Sequence, residues 1–191
     1  MRHAIADRTA LLVIDVQKGF DDPCWGPRNN PAMEQRLAEL LAAWRAGRRP
    51  VLHARHMSTE PGSPLRPGQR GNDFKVEAAP QPGEPVIEKS VNSCFIGTTL
   101  YADLQQAGIE GLVLAGLTTN HCVSTTARMA GNLGFTVWVA SDATATFDRV
   151  GPDGVLYPAD LVHGAALSDL HGEFAAVVDT KRLIAESGRR S

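Results

Sequence analysis

The sequence predicts an α/β fold: a three-layer α/β/α sandwich around a doubly wound, mainly parallel six-stranded sheet. Three observations predict it. Short apolar runs such as Leu11-Leu-Val-Ile14 and Leu112-Val-Leu-Ala115 show no polar alternation, as expected of strands covered on both faces. Each run gives way to a segment with apolar residues at helical spacing, so strand and helix alternate along the chain. No repeat or low-complexity linker breaks the alternation, and 191 residues suit one compact domain, 1–191, with a sizeable core. Right-handed crossovers make such a sheet doubly wound.

The first strand, Leu11 to Ile14, ends in Asp15, an unexpected acid after so apolar a run. Residues 19–30 are rich in Gly, Pro, Asp and Asn and read as a loop. Asn30-Pro31 then supplies a helix N-cap with proline at the first helical position. Leu37, Leu40, Leu41 and Trp44 follow at helical spacing, and Gly47 stops that helix before Pro50. Pro50 to His56 is a second strand. The long polar stretch 57–83 is of a length usually functional or mobile. Pro85-Val-Ile-Glu-Lys89 is the third strand, and a helix over 97–107 is closed by Gly108. Leu112 to Ala115 is the fourth strand, with a helix from Cys122 to about Asn132. The fifth is Thr136 to Ala140, ending at Ser141-Asp142, and a further loop runs over 142–157. Pro158 to about Leu170 is a helix, Ala175 to Val178 the sixth strand, and the tail a short amphipathic helix fraying into 187–191.

A formal net charge of −2 leaves no large basic face, and the longest basic cluster is Arg189-Arg190 beside Lys181 and Arg182. Nucleic acid and membrane surfaces are therefore not expected partners. No apolar run approaches the roughly 20 residues of a membrane span, and the first residues lack a signal-peptide core. Three cysteines without a C-x-x-C pair argue against a disulfide framework and fit a reducing, cytoplasmic setting.

In doubly wound sheets ligands bind beyond the carboxyl ends of the strands, where the strand order reverses. The residues at those ends are Asp15, His56, Lys89, the Cys122 turn and Asp142. An Asp beside a thiol can take its proton, and a Lys beside both offsets the acid and favours the thiolate. A cysteine in the first turn of a helix also lies in the positive end of the helix dipole. Asp15, Lys89 and Cys122 thus form a plausible acyl-transfer set. The ordinary alternatives are a turn-capping carboxylate, a solvated strand-end lysine and a buried packing cysteine.

Three segments carry a family resemblance: Leu12-Val-Ile-Asp-Val-Gln-Lys-Gly-Phe20, Ile87-Glu-Lys-Ser-Val-Asn-Ser-Cys-Phe-Ile-Gly-Thr98 and Ala115-Gly-Leu-Thr-Thr-Asn-His-Cys-Val123. In this order they resemble the signature segments of the isochorismatase-like cysteine hydrolases, and the likeness covers essentially the whole chain. The resemblance implies a catalytic Asp15, Lys89 and Cys122. It also implies a non-proline cis peptide at Leu117-Thr118 and an oxyanion hole from the N–H groups of Thr118 and Cys122. Cleavage of a C–N bond in a small amide, imide, carbamoyl or ureido compound through a thioester is the implied activity. An isochorismatase-type vinyl-ether hydrolase, or an idle binding or scaffold protein, are the alternatives. Relatives form dimers or larger assemblies, so a homodimer or larger homo-oligomer is expected.

The nicotinamidases of this superfamily hold a metal with an Asp and two His after the second strand, where this chain has His53-Ala-Arg-His-Met-Ser58 and no aspartate. His53 and His56 lie three apart on a strand, face opposite sides and are poorly placed to share an ion. Neither metal nor other cofactor is expected. Gln17, Phe20, Trp25, Phe74 and Phe147 are candidates for bracing or lining a substrate pocket, with core packing the alternative for each. Arg28, Arg70 and Arg149 are candidates for holding a substrate carboxylate, with solvation the alternative. Cys94 reads as packing, Cys24 as loop packing or a second thiol, His121 as pointing away from the nucleophile, and His163 and His171 as structural.

Overall fold

The computed structural model describes residues 5–188, so the Arg189-Arg190 pair and the last residue of the tail lie outside the described residues. The chain runs β1 (Thr9–Ile14), α1 (Met33–Ala46), β2 (Val51–His56), β3 (Val86–Lys89), α2 (Leu100–Gln106) and β4 (Gly111–Leu117). A π-helical turn (Thr119–Val123) leads into α3 (Ser124–Asn132) and β5 (Thr136–Ala145). A hairpin of β6 (Arg149–Val150) and β7 (Leu156–Tyr157) follows, then α4 (Ala159–Leu170), β8 (Ala176–Val178) and α5 (Thr180–Ser187). The main sheet has the order β3-β2-β1-β4-β5-β8, with every neighbouring pair parallel.

Alternation along the two central strands divides the core. Leu12, Ile14, Leu112 and Leu114 point to one face, against Leu100 and Leu104 of α2, Ala127 and Ala130 of α3 and Leu170 of α4. Leu11, Val13, Val113 and Ala115 point to the other, against Leu37, Leu40, Leu41 and Trp44 of α1 and Leu183 of α5. A strand buried on both faces has no polar side to show, which is why its sequence reads as an unbroken apolar run.

The strand order reverses between β1 and β4, and there the backbones come unusually close. Gly116 has φ +120°, and a Cβ on it would lie 2.0 Å from the Ile14 carbonyl oxygen. Only glycine fits, because both the conformation and the space exclude a side chain.

Helix α2 starts at Leu100 and α3 at Ser124, each later than expected, and the loop 142–157 holds the β6–β7 hairpin. The end of β5 and the start of α1 also differ, for a shared reason. β5 does not end at Ala140 but continues to Ala145 through a bulge: Leu114 pairs with Val139, whereas Gly116 pairs with Thr144. Asp142 therefore lies inside the strand, not on the rim, and its Oδ1 accepts from the N–H and hydroxyl of Thr180 (2.7 Å each) at the start of α5. The bulge also explains Asn30, which does not cap α1. The helix starts at Met33 with Ala32 at its cap, and Asn30 adopts φ 45°. Its Nδ2 donates to the carbonyls of Ser141 (3.1 Å) and Thr144 (2.7 Å), at either side of the bulged stretch.

Replacing Gly116→Ala forces β4 away from β1. The expected result is a loss of at least about 2 kcal/mol of stability, read by denaturant unfolding, since strain and overpacking add at one buried position.

Candidate active site

Three strands deliver the site to the reversal point. Asp15 follows β1 in a left-handed conformation (φ 53°), its N–H donating to the Ala54 carbonyl of β2 (3.0 Å). Lys89 is the last residue of β3, paired in register with His56 of β2. Cys122 lies in the turn after β4, whose first peptide bond, Leu117-Thr118, is cis. The side chains meet at one atom. Lys89 Nζ donates to Asp15 Oδ2 (2.6 Å), to the Val91 carbonyl (3.2 Å) and to Cys122 Sγ (3.4 Å), and lies 3.3 Å from His56 Nδ1. Asp15, Lys89 and Cys122 are respectively 0, 3 and 7 % exposed.

The electrostatics of this cluster follow from burial. For Lys89, burial is the largest effect and opposes the charge, but Asp15 first, with Cys122 and Cys94, together outweigh it and hold the ammonium above the usual lysine range. For Cys122, burial is the largest effect and the Asp15 charge adds to it. Lys89 compensates only in part, and the thiol is held well above its ordinary range. The resting site thus pairs the Lys89 ammonium with Asp15 and keeps Cys122 as a thiol. The thiolate expected from a helix start is disfavoured at rest: Cys122 sits in the π-helical turn before α3, where burial and the Asp15 charge raise its pKa. Asp15 Oδ1, fully buried, has no hydrogen-bond partner among the described residues, while Oδ2 is engaged by Lys89. It is the free acceptor for a proton.

His56 ends β2 at the same rim, in register with Lys89. Burial, and then the Lys89 charge, push its pKa down, so it is a neutral imidazole whose Nδ1 accepts from the ammonium. Ligating atoms of Asp15, His56 and Cys122 lie within 4.8 Å of one another. That donor set is shaped for a cation, and the cation lodged among its members is the Lys89 ammonium. His53, on the opposite face of β2, turns its Nε2 to Glu84 (2.9 Å). The two histidines cannot chelate one ion.

A cleft of about 360 Å3 adjoins the turn that carries Cys122; its walls include Cys24, Trp25, Thr118, His121, Phe147 and Arg149, while Asp15, Lys89 and Cys122 lie behind that lining. The Thr118 N–H makes none of the hydrogen bonds found among the described residues, whereas the N–H groups of His121 and Val123 turn back onto the Thr118 carbonyl (3.2 Å each). Phe20, Trp25 and Phe147 form one aromatic group with centroid separations of 5.1, 5.8 and 6.0 Å. Trp25 and Phe147 face the cleft, and Phe20 packs behind them.

Other expected pocket residues lie elsewhere. Gln17 is fully buried with its amide spent on backbone: Nε2 donates to the carbonyls of His56 (3.1 Å) and Asn72 (3.0 Å), and Oε1 accepts from the His56 N–H (2.8 Å). It braces the site and does not line it. Phe74 packs edge-on against His53 (5.8 Å) and under Arg55, across β2 from the cleft. Arg28 forks onto Glu34 (2.6 and 2.8 Å), and Arg70 lies exposed in a short 3-10 turn. His121 does not turn away, because the π-helical turn rotates it to the cleft wall. Cys94 is fully buried; Cys24 is exposed at the cleft.

His163 is an unanticipated contributor. From α4 its Nδ1 lies 2.8 Å from the hydroxyl of Thr119, which is fully buried and begins the turn that carries Cys122. Burial keeps this imidazole pKa low. No spacing in the sequence announces a contact across 44 residues.

The fold and site define an α/β hydrolytic enzyme, and comparison with known proteins gives its family. Residues 9–182 match the Isochorismatase domain, and the chain belongs to the isochorismatase family of hydrolases. It is 43% identical over 178 residues to the uncharacterized isochorismatase family protein YrdC of Bacillus subtilis (strain 168), covering 93% of this chain and 95% of that one. Nicotinamidase 3 of Arabidopsis thaliana is 30% identical over 187 residues, covering 91% of this chain and 86% of the relative. Among solved structures, an isochorismatase-family hydrolase from Chromobacterium violaceum superposes with a TM-score of 0.93 at 48% identity, covering 98% of this chain and 99% of that one.

Glu34 ties the aromatic wall to α1, since it accepts from both Arg28 and Lys75, and Lys75 in turn holds Asp21. Burial opposes its charge, but the two cations prevail and lower its pKa from 4.5 to about 2. A carboxylate depressed on folding stabilises fully above its unfolded value and loses that effect as pH falls through the folded one. Glu34→Gln should cost roughly 2 kcal/mol at neutral pH, with the deficit to wild type closing as pH falls from about 4.5 toward 2 in parallel unfolding titrations.

Proposed function

We propose that the protein is a cofactor-free cysteine amidohydrolase that cleaves a C–N bond of a small amide, imide, carbamoyl or ureido compound through a Cys122 thioester. The observation that carries this reading is the single ammonium of Lys89 bridging a buried carboxylate and a buried thiol, with Asp15 Oδ1 unpartnered.

The chemistry follows from that arrangement. Asp15 takes the thiol proton as Cys122 Sγ attacks the substrate carbonyl carbon, and the carbonyl π pair moves onto oxygen. The neighbouring Lys89 charge stabilises the forming thiolate, and the N–H groups of Thr118 and Cys122 receive the oxyanion. As the tetrahedral intermediate collapses, the C–N bond breaks and Asp15 returns its proton to the departing nitrogen, leaving a thioester. Asp15 then deprotonates a water that attacks the thioester, and the proton goes to sulfur as the acid departs. A resting thiol suits this sequence, because the proton is delivered where the leaving nitrogen needs it. That a relative carries the name nicotinamidase supports an amide as the bond cleaved.

A vinyl-ether hydrolase would use Asp15 as an acid and leave Cys122 idle. A panel of small amides, ureides and carbamoyl compounds screened for ammonia release identifies a substrate. With it, Cys122→Ala should lower kcat by at least roughly a thousandfold, as should Asp15→Asn. Undiminished turnover by Cys122→Ala would remove the nucleophile assignment, and the absence of ammonia release across the whole panel would favour the ether hydrolase.

A further inference from the structure

The cleft beside the Cys122 turn is chemically asymmetric. At its inner end lies the unpartnered N–H of Thr118, one flank is the Trp25–Phe147 pair with centroids 5.8 Å apart, and Arg149 of β6 stands at the exposed end. The other polar groups of the cleft are already engaged or weak. Asp148 is turned to α4, its Oδ1 accepting from the Ala159 N–H (2.7 Å). The Thr146 hydroxyl donates to Asn120 Oδ1. Burial, and secondarily Arg149 itself, keep His121 uncharged by lowering its pKa. Burial and the nearby Asp22 keep the Cys24 thiol protonated. Arg149 thus forms no ion pair among the described residues, unlike Arg28 in the adjoining loop, which is clasped by Glu34.

We propose that Arg149 is a specificity residue that holds a carboxylate at the far end of the substrate, so that the preferred substrates are small anionic amides: an amide group at Thr118 and Cys122, a short apolar spacer against Trp25 and Phe147, and a carboxylate on the guanidinium. The planar fork of arginine matches a carboxylate with two parallel hydrogen bonds. Its position on a two-residue strand of a hairpin anchored by β7 fixes the backbone from which it reaches. The aromatic flank accepts carbon but offers no hydrogen bond to a second amide, because Trp25 Nε1 is spent on the Gly19 carbonyl (2.8 Å). A neutral diamide therefore gains nothing at the exposed end that water does not already give it.

The inference rests on the amidohydrolase reading, yet it is tested by binding alone, and the two fail separately. Monoamides of malonic to adipic acid, and the corresponding diamides, are titrated by calorimetry into the Cys122→Ala protein, which binds without turning over. The best monoamide should bind roughly 10- to 100-fold more tightly than its diamide, the range of a charge-assisted pair. Arg149→Ala in the same background should collapse the preference to about unity, and Arg149→Lys should restore part of it. Because Arg149 is exposed, neither variant threatens folding. Equal affinities for monoamide and diamide overturn the proposal. So does a preference that survives Arg149→Ala, or the absence of binding by every monoamide at tens of millimolar. Failure of the cysteine amidohydrolase reading would instead appear as ammonia release undiminished in Cys122→Ala, or as none from any amide with the wild-type protein.

Discussion

The site depends on one buried ammonium. Lys89 Nζ has four acceptors within 3.4 Å, from Asp15, His56, Val91 and Cys122, at a place almost closed to water. Taking a carboxylate and an ammonium out of water costs several kcal/mol per ion, which mutual attraction returns only when the geometry is good and the spare hydrogen-bonding capacity is used. Here the ammonium uses all of its capacity, and the carboxylate keeps one oxygen unpaired. That inequality is the functional content of the pair. A fully satisfied Asp15 would be an inert counter-ion, whereas one with a bare, buried Oδ1 beside a thiol is a base restrained only by the charge it shares with Lys89.

The sheet exists, in effect, to bring three distant residues to that atom. Asp15 and Cys122 come from β1 and β4, the two strands on either side of the order reversal, while Lys89 reaches in from β3 at the edge. Closeness of β1 and β4 is secured by Gly116, and the reach from β3 is held by Gln17, whose amide locks both the end of β2 and Asn72 of the long loop. The same turn that carries the nucleophile is fixed from the opposite side by His163 of α4. Sheet, loop and helix therefore each contribute one constraint to the nucleophile's position.

Much of this was legible in sequence because it is written in period and position. Apolar runs of strand length gave all six strands of the main sheet, and their carboxyl ends gave Asp15, Lys89 and Cys122 as neighbours. What was not legible depends on groups far apart in sequence meeting by packing. The bulge that lengthens β5 and takes Asp142 off the rim has no local signature, and the carbonyls at either side of it then claim Asn30, which otherwise reads as a helix cap. Gln17 and Phe74 have the chemistry of pocket residues but are drawn to backbone and to His53. The ionisation of Cys122 was not legible for a related reason: a helix dipole can be inferred from sequence, but the burial that raises the thiol pKa belongs to the folded protein.

The resting thiol bears on selectivity. An enzyme holding a free thiolate would react with any electrophile small enough to enter, whereas a thiol that ionises only as Asp15 takes its proton couples nucleophile formation to a carbonyl already in place. The walls of the cleft then decide which carbonyl is in place, and here they are anchored independently of the chemistry. Trp25 hangs from Gly19, Phe147 packs on Phe20, and the first loop is tied to α1 through Arg28, Glu34 and Lys75. In the proposed mechanism, the residues that would choose the substrate stand on loops, the first of them stapled to α1, while those that would cleave it stand at the strand ends. Substitution at one can change what is bound without disturbing the buried pair that does the work.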